Sequence, residues 1–104
     1  MEALDCAIIG AGIYGLTIAA ALRREQVQRV CAFDMAPEGF EGLWATFARM
    51  STLRTPKHLT GPELGLPGLG FRAWWEAMFR IPREAWMDYL RWYRRTLDLP
   101  VRNL

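Results

Sequence analysis

The stretch Gly10-Ala11-Gly12-Ile13-Tyr14-Gly15 sets three glycines at the G-x-G-x-x-G spacing. That spacing suits one task, the seating of a diphosphate on a helix N-terminus. Gly10 would let the chain turn tightly out of a strand. Gly12, without a Cβ, would let the backbone come close to a pyrophosphate, and Gly15 would let the following helix pack against the sheet. Asp34 stands at the end of the next apolar run, where a carboxylate can accept hydrogen bonds from an adenosine ribose. An acid there would repel a 2′-phosphate and so argues against NADP in this pocket. The candidate cofactor contacts are Gly10, Gly12, Ile13, Tyr14, Gly15, Asp34 and Met35. The alternative is a plain α/β unit whose glycines only relieve crowding, and it leaves Asp34 without a purpose.

Other side chains offer less. His58 is the one histidine, beside Lys57, and no Ser/His/Asp or Cys/His set assembles around it. Arg54 suits a phosphate or carboxylate ligand, but a structural ion pair suits it better. Glu84 and Asp88, four apart on one helix, repel mildly rather than forming an acid pair. Cys6 and Cys31 show neither CxxC nor metal spacing and read as reduced, buried thiols, from which a cytoplasmic location follows. No catalytic residue and no metal site is assigned.

The glycine turn needs a strand before it and a helix after it. Cys6–Ile9 is a short apolar run bounded by Gly10 and reads as a strand buried on both faces. Ile13, Leu16, Ala19, Ala20 and Leu22 recur at helical spacing, with Arg23 and Arg24 where a helix C-terminus welcomes cations. Val30–Phe33 reads as a second strand, parallel to the first because a helix joins them. Residues 5–34 thus form a βαβ dinucleotide-binding unit, within one domain spanning 1–104.

Residues 35–70 form a loop-rich segment holding six of the nine glycines and four of the six prolines, and a loop of that length is usually functional. A short extended piece is expected around Met50–Thr55. Residues 71–104 form a helical segment, with helices over Phe71–Arg80 and Arg83–Leu97. Pro82 suits the first helical position, Trp86, Leu90, Tyr93 and Leu97 line one face, and Pro100 stops the second helix. The fold class is α/β, a Rossmann-type βαβ unit followed by a long loop and two C-terminal helices. An NAD domain of the common type would continue after Asp34 into a further helix and strand. The long Gly/Pro/Trp segment found instead favours FAD, although the fingerprint alone leaves FAD and NAD both open.

The chain has 104 residues, 52% of them apolar, and a net charge of +2. These values fit one small globular domain and argue against disorder. So weak a charge is no nucleic-acid footprint. The uncharged run from Cys6 to Leu22 is at the short limit for a membrane span, is broken by glycines, and lacks the positive flank of a signal peptide. Neither membrane nor nucleic acid is expected as a partner.

With these residues in place, the chain resembles the FAD-binding N-terminus of flavin-dependent, NADPH-using monooxygenases of the flavin-containing and N-hydroxylating groups. Glu41-Gly42-Leu43-Trp44 resembles their Gly-x-Trp element after the ribose-binding acid. Leu53-Arg54-Thr55-Pro56, preceded by Thr52, resembles a Thr-Leu-Arg-x-Pro element of the N-hydroxylating branch. The run Trp86-Met87-Asp88-Tyr89-Leu90-Arg91-Trp92-Tyr93 is similar to a helix of related bacterial oxidoreductases. The resemblance implies an oxidoreductase in which NADPH reduces FAD and the reduced flavin activates O₂ to oxygenate a small substrate. It also implies that Gly10, Gly12, Gly15 and Asp34 hold the ADP half, with Trp44 beside the flavin.

The sequence departs from that pattern too. It holds no second glycine fingerprint for NADPH, and no later segment is expected to return to the sheet, since Val101–Leu104 lies about where the next strand should start. The expectation is a truncated, N-terminal piece of such an enzyme, binding the ADP part of FAD weakly or not at all and performing no turnover alone. Two other classes stay open: a non-catalytic module for NAD or ADP-ribose, and a vestigial interaction domain. Exposed aromatics on the last helices would mark a surface covered by a homo-oligomer partner or by a further domain.

Overall fold

The computed structural model describes residues 3–46, 48–53 and 81–104. The expectations placed on Arg54, Thr55, Pro56, Lys57, His58 and the helix Phe71–Arg80 lie outside them. In chain order the elements are β1 (Cys6–Ile9), α1 (Ile13–Arg24), β2 (Val30–Asp34), α2 (Arg83–Leu97) and β3 (Val101–Asn103).

The uncharged run at the N-terminus divides as its glycines require, into β1, a turn and α1, and no described helix is long and apolar enough to cross a membrane. β2 lies in the middle of a three-stranded sheet, parallel to β1 in the register Cys6↔Val30 to Ile9↔Phe33 and parallel to β3 in the register Ala32↔Val101 to Asp34↔Asn103. The third strand corrects the expectation that nothing returns to the sheet. It is brought there by the way α2 ends. Asp98 is left-handed (φ 47°), its N–H donates to Arg95 O at 3.1 Å, and Leu99 N–H donates to Arg94 O at 3.1 Å. This double closure reverses the chain, and Leu99 is buried while Pro100 leads directly into β3.

Side chains alternate across a strand, and the described helices cover one face of the sheet. Ile8 and Ala32, with Cys6, Val30 and Val101 packed around them, meet α1 and α2 in one core that includes Leu16, Ala19, Ala20, Trp86, Tyr89, Leu90 and Tyr93. The other face carries Cys31, Phe33 and Arg102 along an open groove. β1 is therefore not buried on both faces as expected: Ile9 is 87% exposed, because no described element covers that side. Cys6 and Cys31 face opposite ways and both are free thiols.

α2 buries the stripe read from its spacing, with Trp86, Leu90 and Tyr93 inside and Leu97 half-buried. Tyr89 joins them, stacking on Trp86 at 5.3 Å between centroids. The described aromatics of α2 are thus core or half-buried, not an exposed docking face. Pro82 sits one position earlier than expected, as the N-cap (ψ 143°), with its carbonyl accepting Trp86 N–H at 3.0 Å. Part of the expected extended piece is present: Thr52 bridges Pro82 antiparallel, and Leu53 N–H donates to Ile81 O at 2.8 Å. At the far end, the Arg23 guanidinium donates to the carbonyls of Leu97 and Asp98, so the end of α1 caps the end of α2.

Candidate functional site: the glycine turn

β1 ends at a turn built from the backbone. Gly10 has φ 102°, open only to glycine at low cost, while its N–H still reaches Phe33 O at 2.7 Å. A Cβ on Gly15 would overlap the Gly10 carbonyl oxygen and lie 2.8 Å from its carbon. That contact seats the first turn of α1 directly on the end of β1.

Gly12 differs from both. It is the N-cap of α1 at φ −74°, a conformation any residue adopts, and a Cβ there would meet Gly42 Cα at an ordinary 3.6 Å. The fold itself does not require glycine at this position; a group approaching the backbone would. Among the described residues no side chain caps α1, and its first turn holds no acidic residue. The unpaired N–H groups of a helix start, and the positive end of its dipole, are therefore left for an anion from outside.

Asp34 ends β2 beside this turn. Its Oδ2 accepts Ala11 N–H and its Oδ1 accepts Ala36 N–H, each at 2.8 Å. An ionised carboxylate has about four acceptor positions, so acceptor capacity remains for hydroxyl groups. Gly10, Gly12, Ile13, Tyr14, Gly15 and Trp44 line one open cleft of about 590 Å³, together with Glu41, Gly42 and Leu43. Tyr14 is 82% exposed there, while Trp44 and Ile13 also touch the core. Met35 is 87% exposed and lies outside the cleft lining. The cleft has the size of a small-ligand site; Asp34, like Met35, lies outside its lining and meets the glycine turn through the Ala11 N–H. Among the described residues no group of His, Cys, Asp and Glu could hold a metal ion.

Three residues to which the sequence assigns no site role, Glu41, Arg94 and Asn103, form a polar network beside this cleft. Glu41 is buried (6% exposed); its Oε1 accepts Gly39 N–H at 3.0 Å, and its Oε2 accepts from Arg94 and from Asn103 Nδ2, each at 2.6 Å. Asn103 Nδ2 also donates to Ala36 O at 2.8 Å, and Asn103 Oδ1 accepts from Arg94 at 3.1 Å. The available signal is the arginine series Arg91, Arg94 and Arg95 on one helix.

Residues 8–80 match the model of the NAD(P)-binding Rossmann-like domain, and the chain belongs to that family. Within it, the likeness to FAD-dependent monooxygenases read from the sequence is borne out. The chain is 56% identical, over 95% of its length, to an FAD-dependent urate hydroxylase of Xanthomonas campestris pv. campestris. It superposes over 98% of its length, with a TM-score of 0.78 and 25% identity, on a double mutant of a flavin monooxygenase from Stenotrophomonas maltophilia. It spans 23% and 28% of those two chains, about a quarter of each.

Proposed function

We propose that this chain is the FAD-binding N-terminal part of a flavin-dependent monooxygenase that uses NAD(P)H and O₂ to oxygenate a small substrate. The observation that carries the reading is the pairing of an uncapped helix start at Gly12 with the Asp34 carboxylate, joined through the Ala11 N–H. In this reading the N–H groups after Gly12 hold the diphosphate. Asp34, already oriented by Ala11 and Ala36, accepts from the ribose hydroxyls. Tyr14 and Trp44, which line the cleft, would flank the bound cofactor. FAD, when bound, supplies the electron transfer from NAD(P)H and the reaction with O₂. The residues here bind and orient it, and none is assigned to a bond-making step. The identity to an FAD-dependent urate hydroxylase makes urate the first substrate to test on a full-length enzyme, which we place in the cytoplasm.

The 104-residue chain would bind the ADP half weakly and turn nothing over. Titrating ADP and FAD against the backbone amide resonances tests this. Shifts confined to the glycine turn and the Asp34 region, lost in Gly12→Val, are the expected result. Absence of shifts, or NADPH oxidation by the isolated chain, would refute the reading.

A further inference from the structure

Among the described residues from Met35 to Leu43, Glu41 is the one that is buried, whereas Met35, Phe40 and Leu43 are 87%, 50% and 43% exposed. Behind this loop lies a cavity of about 420 Å³ bordered by Ala11, Leu16, Leu90 and Arg94. Apolar packing therefore does not hold the loop in place. Yet the loop carries Gly42, which lines the cleft and lies so near Gly12 that a Cβ added to Gly12 would meet its Cα at 3.6 Å.

What does hold it is polar. Glu41 reaches inward to Arg94 of α2 and Asn103 of β3, and Asn103 ties Ala36 at the start of the loop. Arg91 adds a second tie, its Nε donating to Gly39 O at 2.8 Å with its guanidinium 5.5 Å from the Phe40 ring centroid. We infer that Glu41, anchored by Arg94 and Asn103, is a positioning residue that sets the Gly42 backbone against Gly12 and so fixes the width of the nucleotide cleft. The inference rests on the nucleotide reading above and adds to it the side-chain network that braces the loop wall of the site. A carboxylate suits the role because all three groups around it are donors, which an amide in its place cannot satisfy together. A site preorganised in this way loses affinity when its support loosens, even with every contact residue intact.

The test uses the 104-residue protein, with ADP as probe and amide resonances as readout, well below the melting temperature of each variant. Glu41→Gln and Asn103→Ala are expected to raise the ADP Kd about tenfold and to speed amide hydrogen exchange at Gly39 and Gly42. Val30→Ala, a change at the end of β2 opposite Asp34, lowers the melting temperature but leaves Kd within about twofold. A role limited to stability would move the melting temperature of the loop variants without moving Kd or local exchange, and that result overturns the inference while leaving the nucleotide reading intact. A wild-type protein that binds no ADP overturns both. Should Glu41→Gln fail to fold, Asn103→Ala alone decides, since it keeps the Glu41–Arg94 pair.

Discussion

Gly15 and Gly10 touch across the first turn of α1, leaving no room for a side chain at position 15: its Cβ would overlap the Gly10 carbonyl. Because the obstacle is backbone, it cannot swing aside. Gly15→Ala should cost about 2–3 kcal/mol, visible as a lower urea midpoint with an unchanged slope. Gly12→Ala, facing only the 3.6 Å contact with Gly42, should cost under about 1 kcal/mol while abolishing ADP binding. Equal destabilisation by the two changes would contradict this division of labour between fold and ligand.

Asp34 serves the fold as well as the proposed ligand, since it accepts from both Ala11 and Ala36. Asn at this position can accept on one atom only, leaving one part-buried N–H opposite another donor. Asp34→Asn should therefore lower stability by about 1–3 kcal/mol and also weaken ADP binding. Chemical denaturation and titration on the same sample check both halves.

The Glu41–Arg94 pair is shielded on both sides, with side chains 7% and 14% exposed. Removing Arg94 strands the Glu41 carboxylate, and removing Glu41 leaves Arg94 the exposed Glu38 at 3.3 Å. Arg94→Met and Glu41→Leu should each cost about 3–5 kcal/mol, and the double variant much less than their sum. A double-mutant cycle by urea denaturation reads the coupling, and strict additivity would show that the two side chains do not interact.

Tyr93 is fully buried, and its hydroxyl has no hydrogen-bond partner among the described residues. Burial disfavours the phenolate and pushes its pKa above the ordinary 10.0. The group is neutral below that value in both states, so its contribution is fully present up to about pH 10 and fades as pH rises through the folded value. Stability should fall in that alkaline range more steeply for the wild type than for Tyr93→Phe. At neutral pH the Phe variant should be more stable by about 1 kcal/mol, as measured by thermal melts across the pH series.

The parts legible in the sequence were those set by neighbouring residues. The Gly10–Gly15 turn follows from local sterics, and the Trp86, Leu90 and Tyr93 stripe follows from helical periodicity. β3 was missed because three residues, including Arg102 and Asn103, carry no strand pattern of their own. They are strand only because the Asp98 closure delivers them to β2. Burial of β1 was overestimated because a short apolar run does not say how many faces of its sheet are covered. Glu41 was read only as part of a Gly-x-Trp resemblance, since its partner stands 53 positions away. A pairing at that separation leaves no periodic trace.

The clasp between the end of β2 and the residues of β3 also bears on how the protein comes into being. Leu104 N–H donates to Asp34 O at 2.8 Å, and Asn103 reaches back 67 positions to Ala36. During synthesis at about 5–20 residues per second, Asp34 leaves the ribosome roughly 4–14 s before the residues that brace its loop. Until then the nascent chain carries a strand with one edge unsatisfied, an invitation to chaperones and to other nascent chains alike.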